Sequence, residues 1–201
     1  DAGLIAQYRL EDKKVIVCVG RLVRRKGQDR LVESMPGVLK EHPDAHLLVV
    51  GRGTYVKHLQ KRAKKLKIQS HVTFVGRINF AELPLYIRLG EIFAMPSRSR
   101  YFGLEVEGLG IVYLEASACG IPVIAGASGG APDAFIEHQT GLVVDGNNIG
   151  KISAAINSLL ADPELRRSMS ARGREWTVQE WSWRLWGARF KELLYTSQQA
   201  R

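Results

Sequence analysis

Six short runs of β-branched and aliphatic residues recur along this chain, and they leave little choice of architecture. The first, Val15-Ile16-Val17-Cys18-Val19, is apolar at every position. Strict alternation would mark a strand with one wet face, whereas a continuous apolar run marks a strand covered on both faces, the habit of parallel sheets. The others are Ala45-His46-Leu47-Leu48-Val49-Val50, Val72-Thr73-Phe74-Val75-Gly76, Ile92-Phe93-Ala94-Met95-Pro96, Pro122-Val123-Ile124-Ala125-Gly126 and Thr140-Gly141-Leu142-Val143-Val144. Between them lie segments with apolar residues at helical spacing, such as Leu31, Val32, Met35 and Leu39. Strands alternating with helices predict an α/β fold: a Rossmann-like parallel sheet of about six strands with helices on both faces. Ligands of such sheets bind beyond the carboxyl ends of the strands. Arg21, Gly51, Gly53, Ser97, Glu107 and Gly129 all follow a strand.

The ends read differently. Residues 1–13 are expected to be a linker or frayed start, and 14–195 one domain. From Asn147 the chain turns helical: Ile152, Ala155, Ile156, Leu159 and Leu160 form one apolar face, and residues 163–175 a second amphipathic helix. Trp181, Trp183, Trp186 and Phe190 mark a last helix ending near Leu194, in which tryptophans are more often packing anchors than ligand stackers. The tail, residues 196–201, is expected to be disordered. Asp1-Ala2-Gly3-Leu4 does not resemble a signal peptide, and without a Met the chain is expected to be a piece of something longer.

Composition excludes some classes. No stretch of about 18 apolar residues is present, so no membrane-spanning helix is predicted. Cys18 and Cys119 lie far apart within or beside apolar runs, and the histidines are scattered, so no metal site is expected. The net charge of +9 implies anionic partners. Much of it lies in Arg21–Lys26 and in Lys57–Lys67, where Leu59, Ala63 and Leu66 recur at helical spacing. The second cluster reads first as a solvated helix face, with an anionic membrane surface as the minority option. No aromatic interleaving suggests base stacking, so nucleic acid is not expected as a partner.

One stretch points to chemistry: Glu107-Gly108-Leu109-Gly110-Ile111-Val112-Tyr113-Leu114-Glu115, continuing to Gly120. A helix is expected over 108–119, with a carboxylate just before its first turn and another eight residues on. That separation corresponds to about 12 Å and two turns, placing both carboxylates broadly on one face. Unpaired N–H groups at the helix start, bared by glycines, suit an anion between them. Hydroxyls at both ends and phosphate in the middle describe a nucleotide sugar. Taken alone, the two glutamates are better explained as a first-turn charge and an exposed helix residue, and it is the rest of the chain that shifts the balance. Arg21 and Lys26 can clamp a diphosphate or simply be a solvated basic loop. Gly51-Arg52-Gly53 is similar to a dinucleotide-binding turn, but Val56 fills the third glycine position and Val75-Gly76-Arg77 offers no acidic ribose partner. An NAD-type oxidoreductase and a nonenzymatic basic binding module therefore remain as the competing classes.

Together, Gly20-Arg21-Leu22-Val23-Arg24-Arg25-Lys26-Gly27, Glu107-x7-Glu115, Ala118-Cys119-Gly120-Ile121-Pro122-Val123-Ile124 and Ser128-Gly129-Gly130-Ala131-Pro132 resemble the family-4 retaining glycosyltransferases over residues 14–195. The resemblance implies one half of a GT-B fold, the nucleotide-sugar-binding domain with its helical C-terminal extension. The acceptor-binding domain and the family's histidine beside the transferred sugar would lie elsewhere, leaving this piece inactive alone. The stretch from Gly103 to Glu115 resembles mannosyltransferases that extend phosphatidylinositol mannosides from GDP-mannose, with UDP- or ADP-sugars as alternative donors.

The resemblance further implies that Gly20, Arg21 and Lys26 meet the diphosphate, offsetting charge on the leaving nucleotide without a metal or other cofactor. Glu107 would bind hydroxyls of the transferred sugar and Glu115 those of the ribose. Backbone N–H groups of Gly108, Leu109, Gly110 and Ile111 would meet sugar and phosphate. Gly51 and Gly53 would border the donor, Arg77 and Ile78 would contact the base, and Ser97 and Arg98 would lie near it. Asp133 stands where the family usually has Glu. The last helix resembles the segment that crosses back to the first domain. The expected location is cytoplasmic, with peripheral contact at the cytoplasmic face of a membrane as an option.

Overall fold

The computed structural model describes residues 2–199. In chain order the elements are α1 (Ala2–Tyr8), β1 (Lys14–Val19), α2 (Gln28–Glu41), β2 (Ala45–Val50), α3 (Val56–Lys65), β3 (Val72–Gly76), α4 (Leu83–Ile87), β4 (Ile92–Met95), α5 (Ile111–Ala118), β5 (Val123–Gly126), β6 (Gly141–Val144), α6 (Ile149–Ala161), α7 (Pro163–Glu180) and α8 (Trp183–Gln199). Six strands form one parallel sheet in the order β3-β2-β1-β4-β5-β6. The four central strands are buried almost throughout, while the edge strands β3 and β6 are half-covered along their middles. That gradient explains why the central runs are apolar apart from His46, which pairs with the Thr73 hydroxyl of the neighbouring edge strand, and why the edge runs carry Thr73 and Gly141.

Helices cover both faces. α2 buries Leu31, Val32, Met35 and Val38 and packs on α3 and α6; α5 packs on α4 and α7. Right-handed crossovers running outward on each side of the β1–β4 seam dictate this division. The seam matters for function: chain order reverses there, so the loops leaving β1 and β4 diverge to opposite faces and open a crevice between them.

The ends correct the sequence expectations. Residues 1–13 are not a bare linker: α1 lays Leu4, Ile5 and Tyr8 against the core, Leu10 is buried, and the Tyr8 and Tyr86 hydroxyls lie 3.3 Å apart. A seven-residue helix has no stability of its own, so only these tertiary contacts account for it. α7 runs on to Glu180, and α8 continues through Gln199 rather than stopping near Leu194. The backbone of 196–199 is thus helical rather than disordered; the last two tail residues lie outside the described residues. Trp176, Trp181 and Trp186 form a ladder with ring centroids 5.8 and 5.3 Å apart, which fastens the start of α8. Trp183, Phe190, Leu193 and Tyr195 are exposed. No described helix is long and apolar enough to cross a membrane. Cys18 and Cys119 are free, and burial pushes the Cys18 thiol up to about 12.

Candidate functional site

The crevice at the β1–β4 seam gathers residues from three loops. β1 ends at Val19, and the chain passes Gly20 and the exposed Arg21 into a short 3-10 turn, Arg24–Lys26. β4 ends at Met95, and the loop after it carries Glu107. β5 ends at Gly126 and is followed by Ser128-Gly129-Gly130.

Lys26 Nζ and Glu107 Oε2 are 2.8 Å apart, with side chains only 11% and 6% exposed. The approach is a charge contact rather than a well-aligned hydrogen bond, because Glu107 Oε2 has no hydrogen-bond partner of good geometry. The Glu107 backbone N–H donates to Ser128 Oγ (3.1 Å), and the Gly130 N–H donates to the Glu107 carbonyl. A Cβ on Gly129, whose φ is +55°, would stand 1.9 Å from that carbonyl oxygen, so only glycine lets the two loops lie this close. Glu107 is therefore held from below by one loop and neutralised by another.

The following helix begins later than its sequence pattern suggests. α5 starts at Ile111, so Glu107 lies four residues outside it and the two-turn spacing to Glu115 does not apply. Glycines at 108 and 110 keep the intervening chain extended and looped, which overrides the apolar periodicity. No side chain caps the α5 N-terminus, Gly108 is exposed, and a Cβ there would meet nothing within 4 Å. The start of α5, four residues after Glu107, is thus left uncapped with an exposed glycine ahead of it, the kind of helix end that suits an anion.

Glu115 is half-buried, and burial raises its carboxyl above the usual carboxylate range. It stands on a wall shared by two clefts. One, of about 460 Å³, lies between α4 and α5 and is lined by Phe80, Leu83, Pro84 and Ile87. The other, of about 450 Å³, is bounded by Leu109, Ile111, Trp181, Trp183 and Trp186. Neither wall includes Lys26 or Glu107, which are closed upon each other. Arg77 is exposed after β3 and Ile78 half-buried; the chain beyond them returns to the cleft beside Glu115.

Several expected contacts are placed otherwise. Ser97 is fully buried and its hydroxyl pairs with that of Tyr113 at 3.0 Å. Arg98 is buried too, its guanidinium gripping the Asp29 carboxylate at 2.7 and 2.8 Å. Neither side chain is available to a base. Gly51 and Gly53 serve packing: a Cβ would lie 2.0 Å from the Gly20 carbonyl oxygen and 2.2 Å from that of Leu22 respectively. The pattern missed Asp29, Tyr113 and Ser128, whose roles depend on partners distant in the chain. Among the described residues, no three of His, Cys, Asp and Glu come together as a metal site.

Residues 4–176 match the family model described as glycosyl transferases group 1. The chain belongs to this family. Over its whole length it is 48% identical to a GDP-mannose-dependent alpha-(1-6)-phosphatidylinositol monomannoside mannosyltransferase of Mycolicibacterium smegmatis, of which it covers 52%. A monoacylated phosphatidylinositol monomannoside mannosyltransferase of Corynebacterium glutamicum, also GDP-mannose-dependent, is 48% identical over 90% of the chain and is covered over 46%. Among solved structures, sucrose-phosphate synthase from Thermosynechococcus elongatus superposes on all of this chain with a TM-score of 0.84 at 31% identity, the match covering 50% of that protein. This glycosyl transferase group 1 domain spans about half the length of the curated relatives it matches.

Proposed function

We propose that this domain binds the nucleotide-sugar donor, GDP-mannose, of a retaining mannosyltransferase whose acceptor is a phosphatidylinositol mannoside held by the other half of the protein. The observation that carries the reading is the Lys26–Glu107 pair at the β1–β4 seam, four residues ahead of the uncapped start of α5 in the chain. A cation, a carboxylate and free backbone N–H groups match a diphosphate joined to a sugar. The similarity to two GDP-mannose-dependent enzymes supplies the choice of donor.

In this reading Lys26 and Arg21 receive the diphosphate and stabilise the charge that builds on its oxygen as the bond to the mannose anomeric carbon breaks. Backbone N–H groups from Gly108 to Ile111 share that charge. Glu107, released from Lys26, accepts hydrogen bonds from mannose hydroxyls. Glu115 does the same for the ribose, and the backbone at Arg77 and Ile78 frames the base. Transfer requires the other half, so the isolated domain binds nucleotide and transfers nothing. α3 presents Lys57, Lys61, Lys64 and Lys65 to solvent, with Lys67 exposed in the turn after it, and this face suits peripheral contact with the anionic surface that holds such an acceptor.

A calorimetric titration of the 201-residue chain with GDP, UDP, ADP and NAD, repeated on Glu115→Ala, tests the reading. GDP is expected to bind selectively, and the substitution to weaken it. UDP or ADP preference would overturn the choice of donor. Binding of NAD alone, or of nothing by a folded chain, would overturn the donor site itself.

A further inference from the structure

Two segments meet at the seam, residues 21–29 and residues 97–107, and two ion pairs of opposite polarity tie them together. Lys26 of the first reaches Glu107 of the second; Arg98 of the second reaches Asp29 of the first. The second tie is the more directional, with both guanidinium nitrogens engaging both carboxylate oxygens at 2.7 and 2.8 Å. Its side chains are each only 10% exposed, and the Tyr55 hydroxyl donates to Asp29 Oδ2 at 3.1 Å.

The turn carrying Lys26 is pinned by the same residues. The Arg98 backbone N–H donates to the Arg25 carbonyl at 2.8 Å, next to Lys26, and the Gln28 amide donates to the Arg21 carbonyl at 3.0 Å. Asp29 stands in the first turn of α2, three residues past Lys26. The pair thus braces a loop-to-loop junction at the strand ends rather than two layers of the core.

We propose that Asp29 and Arg98 are positioning residues that keep the Lys26 turn docked on the Glu107 loop when an anionic ligand takes over the lysine charge. This role rests on the donor-site reading above. A diphosphate arriving at Lys26 competes with Glu107 and loosens the first tie; the second, which no ligand group contests, then holds the ammonium in place. Burial alone would raise the Asp29 carboxyl, but the hydrogen bonds and charge of Arg98, with the Tyr55 hydroxyl, bring it below its usual range. The brace therefore stays ionised wherever the protein is folded near neutrality. A lysine in place of Arg98 would keep the charge and lose the two-point grip.

The test is a cycle of Arg98→Lys, Lys26→Met and the double variant, read by GDP affinity of the 201-residue chain and by amide hydrogen exchange without ligand. Arg98→Lys is expected to weaken GDP roughly tenfold. The double variant should bind no more weakly than Lys26→Met alone, because the brace acts through the lysine. Exchange at the Lys26 and Gly27 amides, bonded to the Val23 and Arg24 carbonyls, should quicken while the β1 interior stays protected. A merely structural pair would weaken binding equally in both backgrounds. Multiplicative losses, or unchanged affinity and exchange in Arg98→Lys, would overturn the positioning role. Failure of the wild-type chain to bind any nucleoside diphosphate would instead overturn the donor site, and this role with it. Should Arg98→Lys fail to fold, Asp29→Asn enters the same cycle.

Discussion

Separate replacement of the two members of the Lys26–Glu107 pair should move stability and nucleotide affinity in different directions. At 2.8 Å and an effective dielectric constant of about 20, the gross attraction is about 6 kcal/mol. Desolvating both ions costs several kcal/mol each, so the net contribution relative to a neutral pair is close to zero. Losing one partner is different, because it leaves the other charge buried and uncompensated at a cost of about 3–5 kcal/mol. Lys26→Met strands a carboxylate whose Oε2 has no hydrogen bond to fall back on, and Glu107→Gln strands an ammonium. Each single variant should therefore unfold at clearly lower urea, while Lys26→Met/Glu107→Gln should return to within about 1 kcal/mol of the wild type. GDP affinity should split the two. Lys26→Met removes the cation and weakens GDP at least tenfold, whereas Glu107→Gln frees the cation and leaves GDP binding equal or tighter. Urea unfolding and calorimetry on the four proteins read both quantities. A double variant as unstable as the two losses combined would refute the coupling. GDP weakened by Glu107→Gln as much as by Lys26→Met would refute the division of roles.

Two further substitutions probe the scaffold and its response to pH. Tyr113→Phe removes a buried hydroxyl that donates to the Met95 carbonyl (2.8 Å) and pairs with Ser97 Oγ. It should cost about 1–3 kcal/mol in urea unfolding, and a loss below about 0.5 kcal/mol would show those groups to be satisfied without it. His46 is buried against Thr73 (2.8 Å), and burial first, with the charges of His71 and Lys13, brings its pKa from 6.5 to about 4. Between those values the unfolded chain binds more protons than the folded one, so stability is fully present above about pH 6.5 and falls as pH drops towards 4. Melting temperatures across that window should decline less steeply in His46→Gln; parallel declines would assign the acid sensitivity elsewhere.

How much of this was legible in the chain differs by level. The largely apolar runs at β1, β2, β4 and β5 declared a parallel sheet, because burial on both faces favours residues without polar groups, and the one buried imidazole, His46, needs a hydrogen-bond partner in Thr73. The glycines and charges after those runs marked the functional end, since strand ends are where loops and ligands belong. The pattern failed where a local signal met a non-local partner. α1 appeared as a linker because its stability comes from the core it touches. Arg98 was placed near the base by the family resemblance alone, and nothing local to it reveals the buried Asp29 opposite. Gly51 and Gly53, expected to border the donor, leave the space into which the Gly20 and Leu22 carbonyls fit, a close approach that no local pattern records.

By itself, then, the sequence determined the strands and their parallel arrangement, most of the helices between them and the family resemblance, all properties of spacing and burial within a few residues. Only the tertiary structure decided that Lys26 faces Glu107, that Ser128 and Gly129 support that glutamate, and that Arg98 is an internal brace. The physical reason is the strand order: β1 lies beside β4, so loops far apart in the chain become neighbours, and no local periodicity records which loops those are.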